Sequence, residues 1–89
     1  MHILVIYDIT DDKTRNKVAE ACKDYGLTRI QYSAFEGNAN RNRRQELTQR
    51  LRRTLGRQQG NIQVIPLCER DLRLRTIIGV SQDQESNGQ

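Results

Sequence analysis

The acidic residues that follow the first apolar run are the ones best placed to do chemistry. The chain opens HILVIYDITDD, so that Asp8 comes directly after the apolar residues 3–6 and Tyr7. A carboxylate at the end of a rigid strand can hold a metal ion or position a water, because the following loop stays open to ligand. An acid in this place more commonly caps the next helix or accepts hydrogen bonds from loop amides. The residues alone leave both interpretations of Asp8 open.

A cluster of arginines in the middle of the chain is the second chemical feature. Residues 38–57 hold seven arginines and the single acid Glu46, seven minus one, or +6, against +4 for the whole chain. A row of charges on a helix is usually a solvated face. Here most of the charge lacks an acidic partner at helical spacing, and guanidinium groups match phosphate oxygens in a bidentate way. The predicted nucleic-acid-binding residues are Arg41, Arg43, Arg44, Arg50, Arg53 and Arg57.

Length and composition limit what the chain can be. Its 89 residues, with a mean hydropathy of -0.83, predict one small domain over residues 1–80 and a disordered tail over residues 81–89. Cys22 and Cys68 lie far apart and the chain has one His, which argues against a zinc site or a disulfide framework, so both cysteines are expected in the core. The first apolar run is too short for a signal peptide or a membrane span, and we expect a cytoplasmic protein without a membrane partner.

The first strand and first helix must position Asp8. The β-branched run predicts a strand buried on both faces, and Asp11 or Asp12 can cap a helix that ends near Tyr25 and Gly26. Arg15, in the first turns of that helix, points back towards the strand end that carries Asp8. Taken alone, Arg15 is more commonly a solvated helix residue.

Residues 28–37 predict a strand, or two strands broken near Ser33. The alternation puts Ile30, Tyr32 and Ala34 on the buried face and Phe35 on the polar side with Arg29. Phe35 there covers a second hydrophobic surface, such as a partner chain, or stacks on a base. The first interpretation is favoured, because lone exposed aromatics usually mark contact surfaces.

The second half of the chain predicts a helix to Leu55 and a strand over residues 62–68. The helix has a thin apolar stripe in steps of four and ends at Gly56, and Pro66 argues for an edge position or a strand end. Residues 69–75 are expected to form a charged linker. Residues 76–80 are suited to add an edge strand, either to the sheet of the same chain or to that of a partner chain. Together these elements predict an α+β, ferredoxin-like sandwich: an antiparallel sheet with two helices on one face and an extra C-terminal edge strand. Nothing in the chain covers the other face, so we expect a twofold homodimer.

The segment IYDITDDKTRNKVAEACKDYGLTRIQYSAFEG, with VIPLCERD later, resembles the CRISPR-associated protein 2 family. These are the small adaptation proteins of prokaryotic immune systems. The resemblance implies a ferredoxin-like homodimer with facing sheets, a metal-dependent nuclease activity on RNA or DNA, and a role beside the CRISPR adaptation integrase in spacer acquisition.

The same resemblance assigns the site. Asp8 is the metal-binding acid, contributed once by each protomer and meeting its twin across the dimer axis. Residues that match positions around this site are Tyr7, Arg15, Arg29, Ser33 and Phe35. Magnesium is the expected ion, with manganese as the alternative, and one acid per chain implies slow hydrolysis. The alternative function is a non-catalytic DNA-binding scaffold that bridges integrase subunits, whereas an RNA-binding module is disfavoured because the strands lack paired exposed aromatics.

Overall fold

A computed structural model describes residues 1–79 of the chain. The predicted disordered tail and Val80 lie outside the described residues. The elements, in chain order, are β1 (His2–Ile9), α1 (Asp12–Asp24), β2 (Thr28–Gln31), β3 (Ala34–Asn38), α2 (Arg41–Leu55), β4 (Gly60–Leu67) and α3 (Glu69–Leu74).

The strands form one antiparallel sheet in the order β2-β3-β1-β4. β1 is therefore a central strand, as its apolar run predicts, and β4 with Pro66 lies at an edge. This order, with α1 and α2 as the crossovers, is that of the predicted ferredoxin-like sandwich, so the fold class is confirmed. Asp8, near the end of β1, is paired with Asn61 of β4, while the pairing of β1 with β3 ends at Ile6.

The core fills the space between the two long helices and one face of the sheet, called the inner face below. Alternate residues of β1 are at most 4 % exposed on that face, and buried residues of both helices pack with them. Burying each large aliphatic side chain stabilises the fold by about 1.5–3 kcal/mol. The residues of this cluster on β1, α1 and α2 include Ile3, Val5, Tyr7, Ile9, Val18, Ala21, Cys22, Leu47 and Leu51.

Local capping explains where the helices begin and end. The Asp11 carboxylate accepts hydrogen bonds from the backbone N–H and the hydroxyl of Thr14, at 2.9 and 2.8 Å. Of the two acids predicted as caps, Asp11 is thus the one used. α1 stops before Gly26, whose φ of +81° favours glycine, and α2 begins after Asn40, whose side chain accepts from the Arg43 N–H at 2.8 Å.

The hairpin of β2 and β3 reverses the predicted sidedness of Phe35. The chain turns at Tyr32 and Ser33, which confirms the predicted break, and Arg29 pairs in register with Phe35. Phe35 also pairs with Val5 and is fully buried on the inner face, whereas Tyr32 is 68 % exposed. The predictions of a surface Phe35 and a buried Tyr32 are therefore wrong. Arg29 and Phe35 do share a face, as the alternation predicts, but that face is the one that packs on the core, and Tyr32 lies in the turn between the strands.

The outer face of the sheet leaves β1 less buried than its apolar run predicts. Leu4 is half-buried and Ile6 is 37 % exposed, so β1 is buried on one face only in the single chain. That face is not bare, because Arg75 reaches across it and donates to a Glu36 oxygen at 2.7 Å. The same Glu36 oxygen lies 3.1 Å from His2 Nε2.

The segment after β4 also differs from the prediction. Residues 69–74 form a short helix instead of a linker, and Cys68 is exposed and caps it, with the Asp71 N–H 3.4 Å from its sulfur. The expectation that Cys68 lies in the core is wrong, since it lies beyond the end of the edge strand. Residues 76–79 are not in a strand, so the extra edge strand is not formed over them. Over residues 1–79, no helix has the length and apolarity needed to cross a membrane.

Candidate functional site at the end of the first strand

Asp8 lies on the outer face of the sheet near the end of β1, and its side chain is exposed. The main chain of β4 packs tightly against it. Gly60 has a φ of +144°, and a Cβ added there would overlap the Asp8 carbonyl oxygen. Only glycine fits this backbone conformation and this approach. Gly60 therefore holds the peptide of Asp8 in place while the carboxylate stays open to solvent.

The surroundings of Asp8 suit part of a cation site. Within residues 1–79 its carboxylate has no ion-pair partner, and no group of three His, Cys, Asp or Glu could enclose a metal ion. Asn61 pairs with Asp8 in the β1–β4 register, so both side chains project from the outer face. Directly opposite residues have Cβ atoms about 4.5–5.5 Å apart. One carboxylate and one amide oxygen are ligands that magnesium accepts, and they supply a minority of its usual six.

Arg15 returns to the end of β1, as predicted, but not to the Asp8 carboxylate. Its guanidinium donates to the Ile9 carbonyl oxygen at 3.1 Å and forms an ion pair with Asp12. The helix that carries it packs on the inner face, whereas Asp8 projects from the outer face. Arg15 and Asp8 thus share one end of the sheet without sharing a hydrogen bond.

Three of the predicted site residues lie together on the inner face. The Arg29 guanidinium carbon is 5.0 Å from the centre of the Phe35 ring, which stacks on Tyr7 with ring centres 6.4 Å apart. The Tyr7 hydroxyl and the Arg29 Nε are buried without a hydrogen-bond partner among the described residues. Burial raises the pKa of Tyr7, and the nearby Arg29 charge partly offsets this. Ser33 takes part through its backbone, since its carbonyl oxygen accepts from the Tyr7 N–H at 3.0 Å.

Tyr32 lies beside the predicted site residues, and the sequence interpretation did not single it out. The guanidinium carbons of Arg15 and Arg29 lie 5.6 and 6.0 Å from the centre of its ring. The turn that carries Tyr32 is bonded to β1 one residue before Asp8, so both occupy the same end of the sheet. The sequence signal that could have found Tyr32 is the break at Ser33, because a turn at that point exposes the residue before it.

The arginines of α2 are less unbalanced than predicted. Arg50 forms a 2.9 Å ion pair with Asp24 of α1, and the Arg43 guanidinium carbon lies 4.5 Å from the centre of the Tyr25 ring. Both side chains therefore have intramolecular roles, which a search for acids at helical spacing within α2 cannot detect. Four of the predicted residues are exposed and have no ion pair within residues 1–79, whereas Arg44 and Arg50 are half-buried. The exposed four are Arg41, Arg43, Arg53 and Arg57.

Comparison with known proteins adds independent evidence. A family model described as CRISPR associated protein Cas2 matches residues 1–74. A relative from Desulforudis audaxviator, named CRISPR-associated endoribonuclease Cas2, is 59 % identical over 91 % of this chain and 76 % of its own. A relative of the same name from Korarchaeum cryptofilum is 47 % identical over 89 % of this chain and 85 % of its own.

Solved structures agree with these sequence matches. A Cas2 crystal structure from Streptococcus pyogenes superposes with a TM-score of 0.75 at 27 % identity, covering 89 % of this chain and 100 % of that one. A hypothetical protein from Thermus thermophilus gives a TM-score of 0.77 at 32 % identity, covering 90 % and 92 %. The match of the family model over the sheet and its helices, with the identity to the two relatives, shows that this chain belongs to the CRISPR-associated protein Cas2 family.

Proposed function

We propose that this chain is a metal-dependent endonuclease that hydrolyses phosphodiester bonds in RNA, as a CRISPR adaptation protein. The observation that carries the proposal is the exposed Asp8 carboxylate, unpaired within residues 1–79, at the end of a central strand. Relatives that are 59 % and 47 % identical are named endoribonucleases. DNA is the alternative substrate, and the arginines on α2 suit either phosphate backbone.

Magnesium, with manganese as the alternative, is the proposed cofactor, and Asp8 with Asn61 would hold it. A bound divalent cation polarises the phosphodiester and lowers the pKa of a water bound to it. Asp8 fixes the position of the ion because Gly60 packs against its peptide. Arg15 and Arg29, at the same end of the sheet, are placed to bind flanking phosphates and offset negative charge.

A homodimer completes this site in the proposal. One chain offers a carboxylate and an amide oxygen, whereas magnesium prefers six oxygen ligands. The outer face, from which Asp8 projects, is also the open apolar face with Leu4 and Ile6. If two outer faces meet about a twofold axis, that contact buries apolar surface and brings a second Asp8 to the first. Two carboxylates brought together in this way would repel one another, which would favour the binding of a cation.

Cleavage of a labelled single-stranded RNA by Asp8→Asn tests the catalytic role. The substitution keeps the shape of the side chain and removes the charge, so we expect a loss of at least about 100-fold in rate. The matched control is Glu20→Gln, which neutralises an exposed acid on α1. Wild-type cleavage by a folded Asp8→Asn variant would remove Asp8 from the mechanism.

A second candidate function is a non-catalytic DNA scaffold that bridges subunits of the adaptation integrase. It is favoured by a relative from Thermoproteus tenax, 36 % identical over 81 % of this chain and 27 % of its own, named a Cas1/endonuclease Cas2 fusion. On this proposal the exposed arginines of α2 bind a duplex and Asp8 is dispensable.

Charge reversal at Arg53, in the last turn of α2, and at Arg57, just after the helix, separates the two functions. Arg53→Glu with Arg57→Glu should abolish duplex binding and spacer uptake if the scaffold function is correct, while Asp8→Asn leaves uptake intact. Each lost phosphate contact should also lower the slope of affinity against salt by about one unit. Arg50→Glu is unsuitable here, since it also breaks the ion pair with Asp24.

A further inference from the structure

We propose that Tyr32 is a stacking platform for a base of single-stranded RNA, with Arg15 and Arg29 binding the phosphates on either side of that nucleotide. This inference rests on the proposed function and specifies how its substrate is held. It assigns to Tyr32 the aromatic contact that the sequence suggested as an alternative for Phe35, which is buried.

The exposure of Tyr32 is the first observation behind the proposal. The residue is 68 % exposed at the tip of the β2–β3 hairpin, whereas Tyr7 and Phe35 are buried and Tyr25 is half-buried. Arg15 and Arg29 lie near the ring, but a residue exposed to this extent keeps most of its ring open to solvent. Bases of single strands stack on such rings irrespective of their sequence.

The charge around the ring is the second observation. Two guanidinium groups lie within about 6 Å of its centre, at 5.6 Å for Arg15 and 6.0 Å for Arg29. Asp12 pairs with Arg15, but Arg29 has no ion-pair partner within residues 1–79. An exposed aromatic ring flanked by cations is the combination that single-stranded nucleic acid requires, with stacking for the base and positive charge for the backbone.

Unsatisfied polar atoms beneath the ring are the third observation. The Tyr7 residue is 3 % exposed, and its hydroxyl has no partner among the described residues, nor does the Arg29 Nε. The Tyr7 ring stacks on Phe35, and the centre of the Phe35 ring lies 5.0 Å from the Arg29 guanidinium carbon, so Tyr7 belongs to the same cluster. Buried polar atoms without partners are costly, and the fold keeps two of them in this cluster.

The position of the platform suits an endonuclease. The Ser33 carbonyl accepts from the Tyr7 N–H, so the turn lies beside the strand end that carries Asp8. A base held on Tyr32 therefore lies at the same end of the sheet as Asp8. A duplex cannot bind in this way, because its bases are already stacked and paired.

Binding of a fluorescein-labelled oligouridine tests the platform independently of cleavage. The measurements use the Asp8→Asn protein as the parent, so that the RNA stays intact. We expect Tyr32→Ala to weaken binding by about 5- to 150-fold, the range for loss of one stacked base. Tyr32→Phe keeps the ring and should bind like the parent, and Gln31→Ala, at an exposed neighbour, is the matched control.

An abasic ribose-phosphate oligomer distinguishes stacking from a structural role of the ring. If Tyr32 stacks on a base, Tyr32→Ala does not change the affinity for the abasic oligomer. Equal losses on both oligomers would mean that the ring only orients Arg15 and Arg29, and would overturn the proposal. Unchanged RNA affinity with altered self-association in sedimentation would assign Tyr32 to a protein contact and equally overturn it. The proposed function is tested separately, by RNA cleavage with Tyr32 unchanged. It fails if Asp8→Asn cleaves RNA like the wild type.

Discussion

Substitution of Phe35 tests whether this ring belongs to the core or contacts nucleic acid. Phe35 is fully buried, and truncation to Ala should lower the free energy of unfolding by about 3–5 kcal/mol. Phe35→Leu keeps most of the volume but loses the stack on Tyr7, about 0.5–1.5 kcal/mol, and the contact with the Arg29 guanidinium, about 0.5–2 kcal/mol. Together these two lost contacts should lower the free energy of unfolding of Phe35→Leu by about 1–3.5 kcal/mol.

Urea unfolding followed by circular dichroism measures both losses. The affinity for single-stranded RNA is then measured at a temperature where the Leu variant is fully folded. We expect that affinity to be close to the wild-type value, because the ring does not reach the surface. A Phe35→Leu protein of wild-type stability with strongly reduced RNA affinity would refute the assignment of Phe35 to the core.

Three further outcomes follow from the contacts around the core and the sheet. Burial raises the pKa of the Cys22 thiol from 9.0 to about 12, so the folded state keeps a proton that the unfolded state loses. Stability should therefore fall between pH 9.0 and about 12 by up to about 1.4 kcal/mol per unit, and less steeply in Cys22→Ala. In the same urea assay, Gly60→Ala should lower the free energy of unfolding more than Gly26→Ala does. A Cβ at Gly60 overlaps the Asp8 carbonyl oxygen, whereas a Cβ at Gly26 meets no atom within 4 Å. A hydrogen bond from Arg75 lowers the pKa of Glu36, so this contact stabilises the fold above pH 4.5 and is lost as the pH falls through the folded value. The free energy of unfolding of Glu36→Gln should therefore depend less on pH in the acid range than that of the wild type.

The regular parts of the fold follow from the sequence because their signals are local. Asp11 caps α1 and Gly26 ends it, and the leucines of α2 at steps of four include the buried Leu47 and Leu51. The central position of β1 also follows from its apolar run. These features depend on residues within one or two turns of each other, which a pattern search detects.

The candidate site is less predictable because it depends on sidedness and on distant pairs. A two-residue turn at Tyr32 and Ser33 decides which aromatic is exposed, and alternation across that turn gives the opposite answer. The pairing of Arg50 with Asp24 joins two helices, so it has no signature within either one. The sequence places Asp8 at the strand end, but only the register shows Asn61 beside it.

Titration with Mn²⁺, followed by electron paramagnetic resonance with sedimentation of the same sample, tests the central claim most directly. We expect saturable binding of one ion per pair of chains in a dimeric species, and loss of that binding in Asp8→Asn but not in Glu20→Gln. A monomeric protein, or an Asp8→Asn variant that binds Mn²⁺ like the wild type, would contradict a metal site shared through Asp8.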